Sequence, residues 1–287
     1  MSYKFIKLDR TNEEMRRSFC ELSIKTFGLD FEDWYQNGYW KENYLPYVCV
    51  KDDKVVANVS VNPMEFNMAG RHVKLIQLGT VMTEESERNQ GLIRKIMEKI
   101  EQDFQDKTDG FFLFGGDDVL EFYPKFGFQK AKEYQYSKTV HNTERASAVM
   151  LPMNQPKQWK TLENIIEKSI CQSSMEQENK KELVMFYVTK FMQENVFYIE
   201  SQNAYAIAEI EGEVLNLQQV FSEQKVDLDK IIVAFGEKIR NVKLGFSPLE
   251  TIGWEMSELQ KEDCTFFVKG EIWRDFEKLM ISVLSHT

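Results

Sequence analysis

Ahead of the apolar repeat that begins at Leu92, the stretch Glu87-Arg88-Asn89-Gln90-Gly91 sets one glycine among polar residues. A glycine just inside a helix costs up to about 1 kcal/mol relative to alanine, so the position needs a compensating reason. A strand-to-helix turn supplies one. Its unpaired N–H groups and the helix dipole favour an anion, and a glycine lets a pyrophosphate lie against the main chain. Arg88 adds a charge-assisted contact. The same glycine also serves as an ordinary turn residue, and the short motif alone does not separate the two. The other groups with chemical potential are scattered. His72, His141 and His286 are isolated and read as surface or turn residues. Cys20, Cys49, Cys171 and Cys264 show no paired spacing, which points away from a zinc site or a disulfide framework and towards a reduced, cytoplasmic setting.

The elements that would hold the glycine turn can be read from periodicity. Residues 3 to 8 alternate like a short strand, and Thr11-Asn12-Glu13-Glu14 has the form of a capping box opening a helix with Met15, Phe19, Leu22 and Phe27 on its apolar face. After an aromatic connection (Trp34, Tyr35, Tyr39, Trp40, Tyr44), residues 47 to 83 read as a three-stranded antiparallel meander with turns at Asp52-Asp53 and Ala69-Gly70. Leu92, Ile93, Ile96, Met97, Ile100 and Phe104 then form a helical stripe. Residues 111 to 114 read as a buried strand, 118 to 121 as a capped short helix that Pro124 ends, and 128 to 132 and 134 to 140 as further strands. Loss of periodicity and two prolines, Pro152 and Pro156, mark a linker over 143–157. Beyond it, helices near 159–170, 181–192 and 228–239 alternate with strands near 197, 204–209, 214–220, 242–246 and 265–268. This order repeats that of the first half, so two domains are expected at 1–142 and 158–287.

The whole chain narrows the partners. Its 287 residues suit two domains or one large one. With 36 basic against 46 acidic residues the net charge is -10, which disfavours nucleic acid and mildly favours a cationic or neutral partner. No uncharged run approaches the roughly 20 residues needed to span a bilayer, so no membrane partner is expected. An edge strand in either half could pair with a second copy, and nothing in the sequence decides it.

Strand meander, glycine turn, amphipathic helix, buried strand, short helix and the run Phe122-Tyr123-Pro124-Lys125-Phe126-Gly127-Phe128 together resemble the GCN5-related N-acetyltransferase family, GNAT. The family's acyl-CoA signature, (Q/R)-x-x-G-x-(G/A), is met at Arg88 and Gly91, with Ile93 at its last position. A tyrosine followed shortly by Gly-Phe is met by Tyr123 and Gly127-Phe128. The resemblance covers about residues 1 to 140. It implies an α+β fold with a mixed, mostly antiparallel sheet flanked by helices, here in tandem, and acetyl-CoA as cosubstrate without a metal. It further implies that the backbone of Val81 and Thr83 pairs with the pantetheine arm and that Arg88, Asn89, Gln90, Gly91, Leu92 and Ile93 hold the pyrophosphate. Tyr123 would be the general acid. In such a reaction an unprotonated amine attacks the thioester carbonyl, an oxyanion forms, and CoA leaves as a thiolate that benefits from a proton. A phenol with a pKa of roughly 10 still carries one at neutral pH.

Two departures accompany the match. Gln77 stands where histone-type members of the family carry a basic glutamate, leaving Glu84, Asp117 or Asp118 acting through water, or an amine that arrives neutral. Gly116 falls near the position of an asparagine that many members place ahead of the last helix. In the second half, the equivalent of the glycine turn is Phe221-Ser222-Glu223-Gln224-Lys225-Val226-Asp227, without glycine and with two acids, so that half is expected to be a degenerate GNAT-like domain that does not bind CoA. The leading expectation is an N-acetyltransferase acting on a primary amine, with a cationic small molecule suiting the acidic balance. A non-catalytic sensor or scaffold, and an aminoacyl-transferring tandem protein, stay open.

Overall fold

Asn12 accepts the Met15 N–H at 3.1 Å and so starts the first helix, while the Thr11 hydroxyl turns back to Asp9. The computed structural model describes residues 2–287. Its first half runs β1 (Lys4–Lys7), α1 (Glu13–Phe27), α2 (Glu32–Gln36), β2 (Leu45–Lys51), β3 (Lys54–Met68), β4 (Arg71–Thr83), α3 (Leu92–Phe104), β5 (Gly110–Gly115), β6 (Gln129–Lys130) and β7 (Tyr134–Thr139). Then follow β8 (Val149–Met150), α4 (Pro156–Lys168), β9 (Met175–Gln177), α5 (Lys181–Lys190), β10 (Val196–Ile199), β11 (Ala204–Glu211), β12 (Val214–Phe221), α6 (Leu228–Val233), β13 (Asn241–Leu244), β14 (Glu255–Glu258) and β15 (Thr265–Lys269).

The meander β2-β3-β4 and the stripe on α3 form as the periodicity requires. Leu92, Ile96, Met97 and Ile100 of α3 enter a core with Val59, Val61, Leu113 and Tyr123. The short helix expected at 118–121 is instead two 3-10 turns, Asp117–Val119 and Tyr123–Phe126. Gly116 before it and Pro124 within it leave too few residues for an α-helix to propagate. α6 stops at Val233 rather than near 239, because Gly236 turns the chain at φ 92°.

Two mixed sheets result, and neither is built from one half alone. The first has the order β1-β2-β3-β4-β5-β15-β6, with β9 added beside the end of β3; the second has the order β14-β7-β13-β12-β11-β10-β8. Thus β15, from the end of the chain, pairs with β5 in the first sheet through Phe267 and Leu113, and β7, from before the linker, pairs with β13 in the second. Two strands therefore cross the boundary expected at 143–157. Burial explains it: Phe267 is fully buried, and an aromatic strand of this kind, Thr265-Phe266-Phe267-Val268, covers the edge of β5 that would otherwise expose unpaired backbone groups. Trp34, Tyr39 and Trp40 are also buried, in one cluster with Leu162, Val184 and Met185 of α4 and α5. They bind the halves together, with Trp34 Nε1 donating to the Glu182 carbonyl at 2.9 Å. Among the described residues no helix is long and apolar enough to cross a membrane.

Truncating Phe267 tests the sharing. Phe267→Ala is expected to destabilise the chain by about 3–5 kcal/mol in urea unfolding and to weaken amide protection on β5; unchanged protection on β5 would contradict a sheet completed by β15.

Candidate functional site

The site begins where two parallel strands part. β4 and β5 are paired only from Leu75 to Gln77 against Gly110 to Phe112; beyond that point β4 runs on to Thr83 without β5 beside it. β4 also bulges there. Its register with β3 slips between Asn58 and Ser60, and Thr80 takes φ 48°, a left-handed conformation that strains a β-branched residue. Two side chains hold it. Asn58 Nδ2 donates to the Thr80 carbonyl at 2.7 Å, and the Tyr44 hydroxyl lies 2.8 Å from Thr80 Oγ1.

A polar patch floors this fork inside an otherwise apolar sheet. Asn58, Ser60, Asn62 and Gln77 are all buried. Asn62 Nδ2 donates to Thr287 Oγ1 at 2.8 Å, whereas the Asn58 Oδ1 and Gln77 Oε1 atoms are buried without a donor. Such orphaned acceptors are costly unless a water or ligand satisfies them. The sequence carries the pattern: polar residues at 58, 60 and 62 along an apolar strand share one face at a period of two. The last residues of the chain enter the fork from the side. A Cβ on Gly79 would fall 2.5 Å from the Thr287 carbonyl oxygen, so only glycine fits. His286, expected at the surface or in a turn, stacks on Phe114 of β5 with ring centroids 3.7 Å apart. Its Nε2 is shut from solvent with no partner. Burial, and then the charge of Lys261, push its imidazole well below the ordinary value, so the ring is neutral at pH 7.

Past Thr83 the chain makes one 3-10 turn, Glu85–Glu87, and reaches α3 through Arg88, Asn89, Gln90 and Gly91, all exposed. Gly91 has φ 70° and an added Cβ would meet nothing within 4 Å, so the glycine is required by the turn and opens onto free space. No side chain caps α3, and its first turn contains no acid; the helix end is left to attract an anion. Leu92 is buried and Ile93 packs against the same core, pointing inward from the turn. Val81 and Thr83 lie half-buried on β4 beyond the fork. Every residue expected at the cofactor site therefore falls on one continuous run from the open part of β4 to the first turn of α3.

Tyr123 comes to the same end of β5. Gly115 makes room for it, since a Cβ there would stand 2.8 Å from Tyr123 Cε2. The ring packs on Phe267 and Phe128, and its hydroxyl makes no side-chain hydrogen bond among the described residues. Burial, reinforced by the nearby Asp118 carboxylate, pushes the phenol up to about 12. The carboxylates considered as bases are otherwise engaged or exposed. Glu84 pairs with Lys25 and accepts the Glu85 N–H, while Asp117 and Asp118 lie on the surface. At Gly116 the Asp263 carboxylate closes in and accepts the Asp117 N–H at 2.6 Å. In the second sheet, β12 and β13 form another parallel pair across a helix. There the helix end is closed: Asp227 caps α6 with its own carboxylate, accepting from Asp229 N–H and Lys230 N–H.

The family model described as an acetyltransferase (GNAT) domain matches residues 7–131. Among solved structures, a protein of unknown function from Enterococcus faecalis, described as a probable N-acyltransferase, aligns with a TM-score of 0.59 at 10% identity over 96% of this chain and 74% of its own. A GCN5-related N-acetyltransferase from Kribbella flavida aligns at 0.55 and 14% identity over 93% and 70%, and one from Anabaena variabilis at 0.52 and 13% over 93% and 72%. At such identities the likeness concerns fold, and it runs through both halves. No curated protein matches the chain.

The raised phenol gives a pH signature. Below pH 10 Tyr123 is protonated in folded and unfolded chains alike; as pH rises from 10 through about 12 the unfolded chain ionises first, so the stability tied to the neutral phenol is lost across that window. Wild-type stability is expected to fall more steeply with pH there than that of Tyr123→Phe, measured by urea unfolding. Equal slopes would show that Tyr123 titrates like a free tyrosine.

Proposed function

We propose, from the match of residues 7–131 to the acetyltransferase (GNAT) domain model, that the chain transfers an acetyl group from acetyl-CoA to a primary amine, with Tyr123 as the general acid. The observation that carries this reading is the continuous open run from the unpaired part of β4, through the exposed Gly91 turn, to the uncapped start of α3. The backbone of Val81 and Thr83 would hold the pantetheine arm as an added strand. The amides at the start of α3, with Arg88, Asn89 and Gln90 beside them and Leu92 and Ile93 anchoring the helix in the core, would hold the pyrophosphate. A site at a helix N-terminus with room against the backbone suits that group.

Tyr123 would keep its proton until the thiolate departs, because burial disfavours the phenolate. On the other side of the fork the donor-free oxygens of Asn58 and Gln77 suit an incoming amine or the waters that carry off its proton. The acceptor class stays with the charge balance, a cationic small molecule. The second half would be a degenerate GNAT-like domain. Its parallel β12-β13 pair supports a common topology, and the Asp227 carboxylate at the helix end disfavours a second anionic ligand there.

Calorimetric titration with acetyl-CoA tests the site. Wild-type protein is expected to bind in the micromolar range, and Gly91→Glu to abolish binding while keeping a wild-type circular dichroism spectrum. Tyr123→Phe is expected to retain binding and to lose about 100-fold in kcat on an amine acceptor. Binding to wild type and Gly91→Glu alike would move the ligand elsewhere, and an unchanged kcat in Tyr123→Phe would remove the acid role.

A further inference from the structure

At the far end of β3 and β4 from the fork, three side chains from three segments converge. Glu65 of β3, His72 of β4 and Glu178, just after β9, place one ligand atom each so that all lie within 4.8 Å of one another. We propose that they form a binding site for a divalent transition metal of the zinc class, which clamps the β3-β4 hairpin to the segment after β9. Zinc holds nitrogen and oxygen ligands at roughly 2.0–2.2 Å, so neighbouring donors stand roughly 3.4 Å apart in a tetrahedral site. His72 Nδ1 and Glu178 Oε2 are already 2.9 Å apart.

The backbone fixes this convergence. In the β3-β4 ladder Asn67 faces His72 and Glu65 faces Lys74; in the β3-β9 ladder Asn67 faces Glu176. The ladder continues past β9 with the Glu178 N–H donating to the Glu65 carbonyl at 2.7 Å. The period of two then puts Glu65, His72 and Glu178 on one face. Asn179 Nδ2 donates to Glu65 Oε2 at 3.2 Å, an outer contact of the kind that orients a ligating carboxylate. One imidazole with two carboxylates suits zinc and its first-row neighbours, whereas calcium and magnesium take oxygen ligands alone.

Access and competition also allow it. The His72 and Glu178 side chains are 49% and 42% exposed, so an ion can enter, and an exposed pair of this kind contributes little that a metal would have to replace. Lys74 stands opposite Glu65 and forms no ion pair among the described residues; its charge opposes a cation but leaves two carboxylates against it. The same exposure of His72 and Glu178 lets water complete the coordination. A metal here lies away from the fork, so the site does not depend on the transfer reaction.

The test uses the full chain, stripped with EDTA and desalted. Titration with ZnCl2 by calorimetry is expected to show one saturable site in the micromolar range. Co(II) is expected to give the visible bands of a low-coordinate site, and Zn(II) to raise the thermal midpoint. His72→Ala and Glu178→Gln are each expected to weaken binding at least about tenfold and to cancel the rise in midpoint. Because both positions are exposed, the metal-free midpoints should stay near wild type, which separates lost binding from lost folding. Absence of saturable binding to the wild type would overturn the proposal. So would binding that persists unweakened in both variants, which would assign the ion to other groups such as Cys171 or Cys264.

Discussion

The shortness of the β4-β5 pairing is the constraint from which the rest of the site follows. Parallel strands need a crossover, here α3, and the pairing lasts three residues before the bulge at Gly79-Thr80 turns β4 away. A longer ladder would satisfy the backbone of Leu78 to Thr83 and leave no place for a strand-like ligand. The bulge is not free: a β-branched residue at φ 48° costs on the order of 1–3 kcal/mol. The Asn58 and Tyr44 hydrogen bonds over-determine it. Asn58 inside β3 and Tyr44 just ahead of β2 are buried where the strained carbonyl and hydroxyl of Thr80 need partners. The fork, the bulge and the polar floor are therefore one device.

Sharing of strands makes that device depend on the far end of the chain. β15 backs β5 through Phe267, which also supports the Tyr123 ring at a centroid distance of 5.4 Å, and the last residues pack against Gly79 and Phe114. Tyr123 is thus positioned by residues more than a hundred positions away. In return, β7 closes the second sheet. The aromatic cluster of Trp34, Tyr39 and Trp40, sealed against α4 and α5, adds a separate contact between the halves. The aromatics after the first helix serve this packing.

What could be read from the sequence was local. The meander, the α3 stripe and the glycine turn follow from periods of two and 3.6 and from the residue type that takes φ 70° without strain. The resemblance rests on those same residues; the fold agrees with it, and the acetyltransferase (GNAT) domain model matches residues 7–131. Register and partner choice were not legible. Nothing in Thr265-Phe266-Phe267-Val268 says which sheet it joins, since an apolar strand suits either edge. β9 and β14, three and four residues long, are too short for a period to be counted. His286 shows the same limit: an isolated histidine carries no pattern, and only the docking of the chain end onto Phe114 makes it a buried neutral ring.

An acidic chain can still present a locally electropositive helix start, because charge is decided within a few ångströms. Three glutamates, Glu84, Glu85 and Glu87, lie just before the exposed turn. Glu84 is tied to Lys25, and Glu87 accepts from both Lys51 and the Tyr3 hydroxyl, which hold its carboxyl below the usual range. Beyond them Arg88 precedes the helix and Arg94 and Lys95 follow within its first turn, with Arg94 over the Phe126 ring and Lys95 over Phe5. With a Debye length of about 8 Å at physiological salt, the net charge of -10 counts for less at Gly91 than these neighbours and the α3 amides. The second sheet has the reverse local balance. Asp227 sits on the helix end itself, so the same parallel strand pair and crossover produce an attractive pole in one half and a neutralised one in the other.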